Sequence, residues 1–511
     1  MKFVSASGMR EGETCAIASN PALERSMMDR AGKGLALAIC SMIKHLEPHD
    51  PVVRLLAGPG NNGGDAFAAA LFLDDLDVQV EVWLACSSDK LRGAARLFFD
   101  QMVDAEIPCF RLATEKEWDV VDEEALPPPI LVDALLGTGS KGPPVGMVRR
   151  AIDYLRARSG KCLIVSADLP SGMNADTGEM HEPCVWADYT VTMGYPKCGM
   201  AFPESRDAVG SLWSAEIGLP TEYAAMIPDA LPDLQWISEA DVRRAFPRRK
   251  RNAHKGEYGR TLLMGGSAHY PGAIALAAQG ASRSGVGLIR VSASGPGIAA
   301  VLAQTPEAMA VADISAEFPL EGLNSILLGP GLGRDPEARR LAARLLHETP
   351  CPLVLDADAI AVMAGKPEAM LQCARPVVLT PHPGELAMLL DKTVGEVQGD
   401  RLGAVREAAE RTGAIVVLKG SGTLVAQKGK PARINLNGNP GMACGGSGDV
   451  LAGLLAGLLA QGVEPFEAAC AAAWLHGAAG DVAALRRTQA GMKAGDIADA
   501  LPSAFAQAGI K

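Results

Sequence analysis

The sequence predicts an α/β protein in which two domains each contain a parallel, doubly wound sheet. Apolar strand-like segments alternate with helical segments along most of the chain, which is the pattern of a parallel sheet covered on both faces. The 511 residues exceed the usual capacity of one core, and the alternation breaks around 219–250, a stretch rich in proline and then in arginine. We therefore predict a first domain over 1–220, a linker over 221–240 and a second domain over 241–511.

The first domain is predicted to begin with a helix and to continue with five strands. Asn20 is a favourable N-cap, Pro21 suits the first helical turn, and apolar residues from Leu23 to Ile39 recur at helical spacing. Continuous apolar segments bounded by turn residues predict strands at 51–58, 78–85, 129–137, 162–170 and 189–194. In such a sheet, ligands bind beyond the carboxyl ends of the strands.

The second domain is predicted to repeat this organisation and to end in helices. Apolar segments predict strands at 259–266, 325–333, 352–360, 376–385 and 414–423. Residues 423–427 and 432–436 predict a β-ribbon. Helices are predicted at 271–285, 450–460, 465–485 and about 494–508. The first of these helices has small residues on every face, which suits close packing.

Composition and charge restrict the functional classes that the sequence can represent. A net charge of −11 argues against a nucleic-acid-binding protein, and the basic stretch at 243–256 is interpreted as a solvated surface. We expect no signal peptide, and the longest apolar run, Val450 to Ala460, is too short to cross a membrane. The eleven scattered cysteines contain no C-x-x-C pair and are typical of reduced thiols, so we predict a cytoplasmic protein without a zinc site.

Three polar boxes follow predicted strands of the first domain. Residues 61–65, NNGGD, stand between a strand and a helix, where glycines let backbone amides approach a phosphate. Asp133 precedes a Gly-Thr-Gly loop, and Asp168 precedes Ser171. Strand-end loops converge on one crevice, where these oxygen atoms suit a hard cation and a carboxylate can act as acid or base. Taken alone, NNGGD favours a turn capped by Asp65 over a ligand site.

Together these boxes resemble the NAD(P)H-hydrate epimerase domain over about residues 1–220. The segments MMDRAG, NNGGDAF, DALLGTG and DLPSGMNADTG are similar to that family's boxes and occur in the same order. The resemblance implies a Rossmann-like fold and a K⁺ ion held by Asn62, Asp133 and Ser171. It implies contacts with the damaged cofactor by Asn61, Asn62, Gly63, Gly64, Asp65, Gly137, Thr138, Gly139, Ser140, Lys141, Gly142, Pro143 and Asp168. We hypothesise that Asp168 acts as both acid and base, and Ala66 stands where the family usually has glycine.

The second domain carries a glycine-rich loop, NPGMACGGSGD, directly before an apolar helix. Gly445, Gly446 and Gly448 free the backbone, and the unsatisfied amides and positive dipole end of the helix predict an anion site. Asp449 is then either a helix cap or a base that deprotonates a hydroxyl attacking phosphorus. Neighbouring strand-end boxes, LKGSGT and TPHPGE among them, favour the base.

This order of boxes resembles the ribokinase-like superfamily and, over about residues 236–511, the ADP- or ATP-dependent NAD(P)H-hydrate dehydratases. The resemblance implies contacts with the hydrated cofactor by Ala273, Gly331, His382 and Asp449. It implies nucleotide contacts by Lys419, Gly420, Ser421, Gly422, Thr423 and Gly448. Cys444 and Ser447 stand where threonine is usual, and Ala361 stands where asparagine is usual. From the residues alone, Asp356 and Asp358 either hold Mg²⁺ or water, or cap a helix.

The two resemblances imply one bifunctional enzyme that repairs nicotinamide cofactors. Its first domain is an isomerase that interconverts the R and S forms of NADHX and NADPHX, the hydrates of NADH and NADPH. Its second domain is a lyase that dehydrates the S form, with Mg²⁺ and with ADP rather than ATP as the expected phosphoryl donor. A homo-oligomer is also implied. Two alternatives stay open: a small-molecule kinase, and a first domain that only binds a metabolite.

Overall fold

The computed structural model describes residues 1–46, 51–124, 128–311 and 319–510. They form two compact units divided between Pro232 and Asp233, inside the segment predicted as a linker. That segment is shared between the units. Residues Thr221–Met226 form a helix packed against the first helix of the chain, and Leu234–Trp236 form the edge strand of the second sheet.

The first unit contains, within the described residues, a seven-stranded sheet in which all neighbours are parallel. Its strands are β1 (Val52–Ala57), β2 (Gln79–Leu84), β3 (Cys109–Arg111), β4 (Ile130–Ala134), β5 (Leu163–Ala167), β6 (Tyr189–Met193) and β7 (Ser211–Ala215). Its helices are α1 (Ala6–Ser19), α2 (Ala22–Leu46), α3 (Asn61–Asp74), α4 (Gly93–Asp104), α5 (Glu115–Glu124), α6 (Gly146–Arg156), α7 (Arg206–Val209) and α8 (Thr221–Met226). The strand order β3-β2-β1-β4-β5-β6-β7 has its switch point between β1 and β4, as expected of a doubly wound sheet.

All five strands predicted for this unit are present, and two edge strands were not predicted. Strand β3 has only three residues, two of them exposed, and β7 mixes serine with apolar residues. Neither has the continuous apolar pattern that marks a central strand, because an edge strand is covered less completely. Helix α1 was not predicted either; Ser5 caps it by accepting a hydrogen bond from the Gly8 amide.

The second unit contains a ten-stranded sheet in the described residues, ordered β11-β10-β9-β12-β13-β14-β15-β16-β17-β8. Its strands are β8 (Leu234–Trp236), β9 (Arg260–Gly265), β10 (Leu288–Ala293), β11 (Met309–Ala310), β12 (Ser325–Leu328), β13 (Leu353–Leu355), β14 (Val377–Leu379), β15 (Ile415–Leu418), β16 (Leu424–Ala426) and β17 (Ala432–Ile434). Its helices are α9 (Glu239–Ala245), α10 (Pro271–Arg283), α11 (Gly295–Gln304), α12 (Pro336–Glu348), α13 (Asp358–Ala361), α14 (Pro383–Leu390), α15 (Val394–Gly399), α16 (Arg401–Thr412), α17 (Ser447–Ala460), α18 (Pro465–Arg487) and α19 (Ala494–Gln507). The predicted β-ribbon is the antiparallel pair β16–β17, whereas β8, β10 and β11 were not predicted.

Close packing of α10 against α17 fixes the helix that carries Asp449. A Cβ atom at Gly453 would lie 1.8 Å from the carbonyl oxygen of Ala277, and one at Gly280 would lie 2.1 Å from that of Val450. Glycine at both positions therefore lets the two backbones touch, as the small residues of α10 predicted.

Helix α18 is, by length and composition alone, the one helix of the described residues that could cross a membrane. Most of it is buried inside the second unit, where Phe466, Trp474 and Leu475 belong to the hydrophobic core. A core helix of this length satisfies the same criterion.

Candidate active sites

A cavity of about 500 Å³ opens at the carboxyl ends of the first unit's strands. Loops after β1, β4, β5 and β6 form its base, and helices α1 and α2 form its walls. The residues predicted from sequence that line it are Asn61, Asn62, Asp65, Gly137, Thr138, Gly139, Ser140 and Asp168. The sheet therefore brings the three polar boxes to one crevice, whereas Lys141, Gly142 and Pro143 lie outside its lining.

The two glycines of NNGGD act through backbone packing. A Cβ atom at Gly63 would lie 2.1 Å from the carbonyl oxygen of Gly58, and one at Gly64 would lie 2.6 Å from the sulfur of Met28. Helix α3 can therefore begin directly at the end of β1. The methyl group of Ala66 is fully buried and does not line the cavity, so it does not narrow the cavity.

A cluster of oxygen atoms lies just beneath this cavity. Asp133 is fully buried, and its carboxylate accepts hydrogen bonds from the hydroxyls of Ser171 (2.6 Å) and Ser166 (2.9 Å) and from the Ser171 amide (2.8 Å). Asn62 donates from Nδ2 to the Leu136 carbonyl at 2.8 Å, while its buried Oδ1 finds no donor in the described part of the chain. Burial raises the pKa of Asp133, and among the described residues it has no cationic partner. An orphaned oxygen beside an uncompensated carboxylate fits a bound cation.

Asp168 is held rigidly at the end of β5. Its backbone has φ of 65°, a left-handed conformation that is uncommon for residues other than glycine, asparagine and aspartate. Its Oδ1 accepts from Lys197 Nζ, from the Met193 amide at 3.0 Å and from Thr192 Oγ1 at 3.4 Å. Lys197 is almost entirely buried, at 1% exposure, so this ion pair lies inside the protein. The second oxygen of Asp168 has no hydrogen-bond partner among the described residues and belongs to a side chain that lines the cavity.

Besides Asp168, three carboxyl groups line the same cavity, those of Asp65, Glu13 and Glu24, and the pKa values of the first two are raised. Burial raises the pKa of Asp65 well above its ordinary value, and the nearby Asp168 and Glu13 raise it further. Burial likewise raises the pKa of Glu13, against the opposing effect of Lys197. The cavity thus combines an ion-paired carboxylate with carboxyl groups that retain protons more readily than usual.

In the second unit, Asp449 lies in the first turn of α17 but does not cap it. The N-cap is Gly446, with φ of 93°, and no side chain makes a capping hydrogen bond there. Burial raises the pKa of Asp449 to about 7, with a further contribution from the charge of Asp356 and an opposing one from Lys419. Of the two interpretations of Asp449, a base poised near neutral pH fits these surroundings.

Lys419 joins the glycine-rich loop to two other strand-end boxes. Its Nζ lies 2.9 Å from Asp356 Oδ1 and 3.8 Å from Glu385 Oε2, and a Cβ atom at Gly448 would lie 3.2 Å from it. Burial lowers the pKa of Lys419, but these carboxylates more than offset that effect and leave it raised. A buried ammonium group therefore stands beside the first-turn amides of α17, where the sequence predicted an anion.

The other predicted contacts lie in turns that the structure also brings together. A Cβ atom at Gly331 would lie 3.1 Å from the Cβ of Ala273, so these two predicted contacts are neighbours. His382 caps α14, with its Nδ1 accepting from the Gly384 amide at 2.9 Å. Asp358 is the first residue of α13, and its carboxylate accepts from the Gly333 amide at 3.0 Å, so it stabilises the glycine turn after β12.

Comparison with known proteins places both units in one family. Residues 24–199 match the family described as YjeF-related protein N-terminus, and residues 261–503 match that of NAD(P)H-hydrate dehydratase. A bifunctional NAD(P)H-hydrate repair enzyme from Moorella thermoacetica is 36% identical over 98% of this chain and 96% of its own length. The chain belongs to the bifunctional NAD(P)H-hydrate repair enzymes. The Escherichia coli enzyme of the same description is 34% identical over 92% of this chain and 87% of its own length.

This repair enzyme is also similar in three-dimensional structure to a solved dehydratase. An ADP/ATP-dependent NAD(P)H-hydrate dehydratase from Bacillus subtilis, co-crystallized with ATP and Mg²⁺, is 33% identical with a TM-score of 0.50. It matches 54% of this chain and 98% of its own. The predicted family, its α/β fold with a ribokinase-like second domain, and its bifunctional character are confirmed.

Several residues at the two sites of the repair enzyme were not predicted from the sequence. Lys197 and Glu13 line the first cavity but lie outside the three boxes. Arg401, at the start of α16, donates to the carbonyl of Lys419 at 3.2 Å and to that of Gly422 at 3.5 Å. These two hydrogen bonds stabilise the LKGSGT turn. No local sequence signal marks these residues, because each reaches its site through tertiary packing.

Proposed function

We propose that the first unit interconverts the R and S hydrates of NADH and NADPH, and that the second unit dehydrates the S form at the expense of ADP. The observation that carries the dehydratase assignment is the position of Asp449. Its pKa of about 7 and its place beside Lys419 at the amino end of α17 suit a base next to a phosphoryl group.

In the dehydratase reaction, Asp449 accepts the proton of the substrate's C6 hydroxyl. The freed oxygen attacks the terminal phosphorus of ADP, and AMP leaves. The C6–O bond then breaks with phosphate as the leaving group, assisted by the ring nitrogen, and loss of a proton from C5 restores the double bond of NAD(P)H. The residues from Lys419 to Thr423, with the Gly448 amide, orient the phosphates and stabilise the charge on the transferring group.

Mg²⁺ would reach this site with the nucleotide. Among the described residues, no group of three or more His, Cys, Asp and Glu side chains forms a metal cluster. Magnesium is commonly held by one or two carboxylates together with substrate phosphates, and Asp356 and Glu385 offer such oxygen atoms beside Lys419. When bound, the ion would neutralise phosphate charge.

In the epimerase reaction, Asp168 exchanges protons with the hydroxyl on C6 while Lys197 holds it in place. Asn62, Asp133 and Ser171 would hold K⁺, a role supported by the orphaned Oδ1 of Asn62 and the uncompensated charge of Asp133. The ion would supply positive charge beneath the phosphates of the substrate.

The assay follows reduced nicotinamide by its absorbance after R and S NADHX are mixed with the protein and ADP. Complete recovery of NADH supports both activities, because the dehydratase then consumes both epimers. If only the S hydrate is converted rapidly, and the R hydrate follows no faster than it epimerises spontaneously, the epimerase assignment is contradicted. A phosphorylated product in place of inorganic phosphate would identify a small-molecule kinase, and parallel reactions with ATP test the preference for ADP.

Two further expectations join this proposal. We propose a cytoplasmic location, which is supported by eleven cysteines that are all free, six of them buried. The homo-oligomer implied by the family is a proposal that light scattering of the purified protein would test.

A further inference from the structure

One carboxyl group in the first cavity has no role in the scheme above. Glu13 lies on α1 and lines the cavity with Asp168, Asp65 and Lys197. Its side chain makes no hydrogen bond or ion pair with any other described residue. The neighbouring residue Arg10, by contrast, donates to the Thr138 carbonyl at 3.3 Å. Glu13 is thus a half-buried carboxyl group that is free to meet a ligand.

Epimerisation at C6 makes different demands on the two faces of the nicotinamide ring. The hydroxyl must leave from one face, which requires an acid on that face. Water must then add to the other face, which requires a base there. A single fixed carboxyl group cannot reach both faces of a ring bound in one position.

Asp168 is fixed in that sense. Three donors, Lys197, Met193 and Thr192, hold one of its oxygen atoms and so fix the orientation of the carboxylate. From its fixed place at the end of β5, this carboxylate can therefore serve only one face of a bound ring. The group for the other face must come from another element of the cavity.

Glu13 is the carboxyl group that remains when the others are assigned. Glu24 accepts a hydrogen bond from the Ala94 amide at the start of α4, which gives it a structural role. Asp65 lies in the first turns of α3, in the same box as Asn62, which is assigned to K⁺, and as the glycines whose backbone amides are expected to approach a phosphate. Glu13 stands instead on α1, in the wall of the cavity, and Lys197 and Asp168 are its strongest electrostatic neighbours.

We propose that Glu13 is the second acid–base residue of the epimerase and acts on the ring face opposite Asp168. The proposal rests on the epimerase activity assigned above. In one direction, Glu13 donates its proton to the C6 hydroxyl, the C6–O bond breaks to release water, and the ring nitrogen forms a double bond to C6. A water molecule adds to the other face, and Asp168 takes its proton. The reverse direction exchanges the two roles, so protons and water balance.

The electrostatic surroundings of Glu13 support this exchange. The charged groups that line the cavity around it are Arg10, Glu24, Asp65, Asp168 and Lys197. Burial and the nearby Asp168 raise the pKa of Glu13, and Lys197 opposes them, so this carboxyl group holds a proton more readily than an exposed glutamate does and can still release it.

The test uses the full-length protein and pure R NADHX without nucleotide, with the two epimers separated by chromatography. We expect Glu13→Gln to lower kcat at least about 100-fold with little change in KM, the usual loss for an acid–base group. Glu11→Gln, an exposed position on the same helix, is the matched control and should keep the wild-type rate. A thermal melt of each variant establishes that it is folded.

Chemical rescue separates proton transfer from a structural role. Formate should restore part of the rate of Glu13→Ala and should not affect Glu11→Ala. Wild-type kcat in Glu13→Gln, or a loss in Glu13→Ala that no small carboxylic acid repairs, would overturn the proposal. Absence of epimerisation by the wild type would instead overturn the epimerase assignment itself, and this proposal with it.

Discussion

Replacing Asp449 by asparagine removes the proposed base of the dehydratase with little change in shape. A positioned acid–base group contributes about 10²- to 10⁴-fold to a rate, so kcat for the S hydrate should fall by that factor, or about 3–5 kcal/mol of barrier. The affinity for ADP should stay the same or increase, because a carboxylate beside phosphates repels them. Stopped-flow measurement of NADH formation and calorimetric titration of ADP separate the two effects.

The pH dependence of the wild type gives an independent measure of the same group. With a pKa of about 7, Asp449 is about half ionised at pH 7 and about one-tenth ionised at pH 6. The rate should therefore fall about tenfold per pH unit on the acidic side and level off above about pH 8. A wild-type rate in Asp449→Asn, or a flat profile between pH 5 and 8, would refute the assignment.

The raised pKa of Asp449 also predicts that its ionised carboxylate, which favours catalysis, lowers the free energy of unfolding. Burial raises the pKa of Asp449 from an ordinary value of 3.8 to about 7, which corresponds to at most about 4 kcal/mol. The unfolded state releases this proton at lower pH than the folded state does. The destabilisation therefore appears as pH rises from about 4 to about 7 and persists above. Denaturant unfolding should show Asp449→Asn more stable than the wild type at pH 8 and no different at pH 4.

Three other changes test the packing and charges of the sites. Lys419→Met should raise the KM for ADP at least tenfold and destabilise the second unit by about 3–5 kcal/mol, since it leaves the buried Asp356 unpaired; ADP kinetics and chemical denaturation measure this. Replacing K⁺ by tetramethylammonium should slow R-to-S conversion and spare dehydration of the S form, and an Asn62→Leu variant should keep only a reduced rate of R-to-S conversion that no longer responds to K⁺. Gly453→Ala forces a methyl group against the Ala277 carbonyl at 1.8 Å, so it should lower the melting temperature and dehydratase rate together, while epimerase activity is unchanged.

The sequence predicted the central strands and the polar boxes because these features are local. Continuous apolar segments mark strands that are buried on both faces, and glycine–aspartate boxes mark the turns that follow them. Prediction missed the edge strands β3 and β7 and the weakly patterned β10, because a partly buried strand does not need a continuous apolar pattern. Lys197 escaped for a related reason: it stands outside every glycine box, in a short turn after β6.

The choice between a cap and a base at Asp449 depends on residues that are distant from it in the sequence. The glycine-rich loop predicted an anion site from its own residues, but the state of the carboxyl group depends on Asp356, Glu385 and Lys419. These residues are 30 or more positions away along the chain and meet Asp449 at the ends of separate strands. Electrostatic free energy depends on distance in space, which the order of residues does not specify.

The family and the α/β fold class could be predicted from sequence, because periodicity and the order of the polar boxes carry them; the individual contacts predicted from those boxes stay predictions. Which of the site's polar groups have partners and which do not became clear only in the folded chain. In the described residues, Asn62 Oδ1 has no donor, one oxygen of Asp168 accepts from Lys197, and Glu13 lines the same cavity without a hydrogen bond or ion pair. The physical reason is that protonation and pairing are set by burial and by neighbours brought together from distant segments, and these are properties of the folded chain.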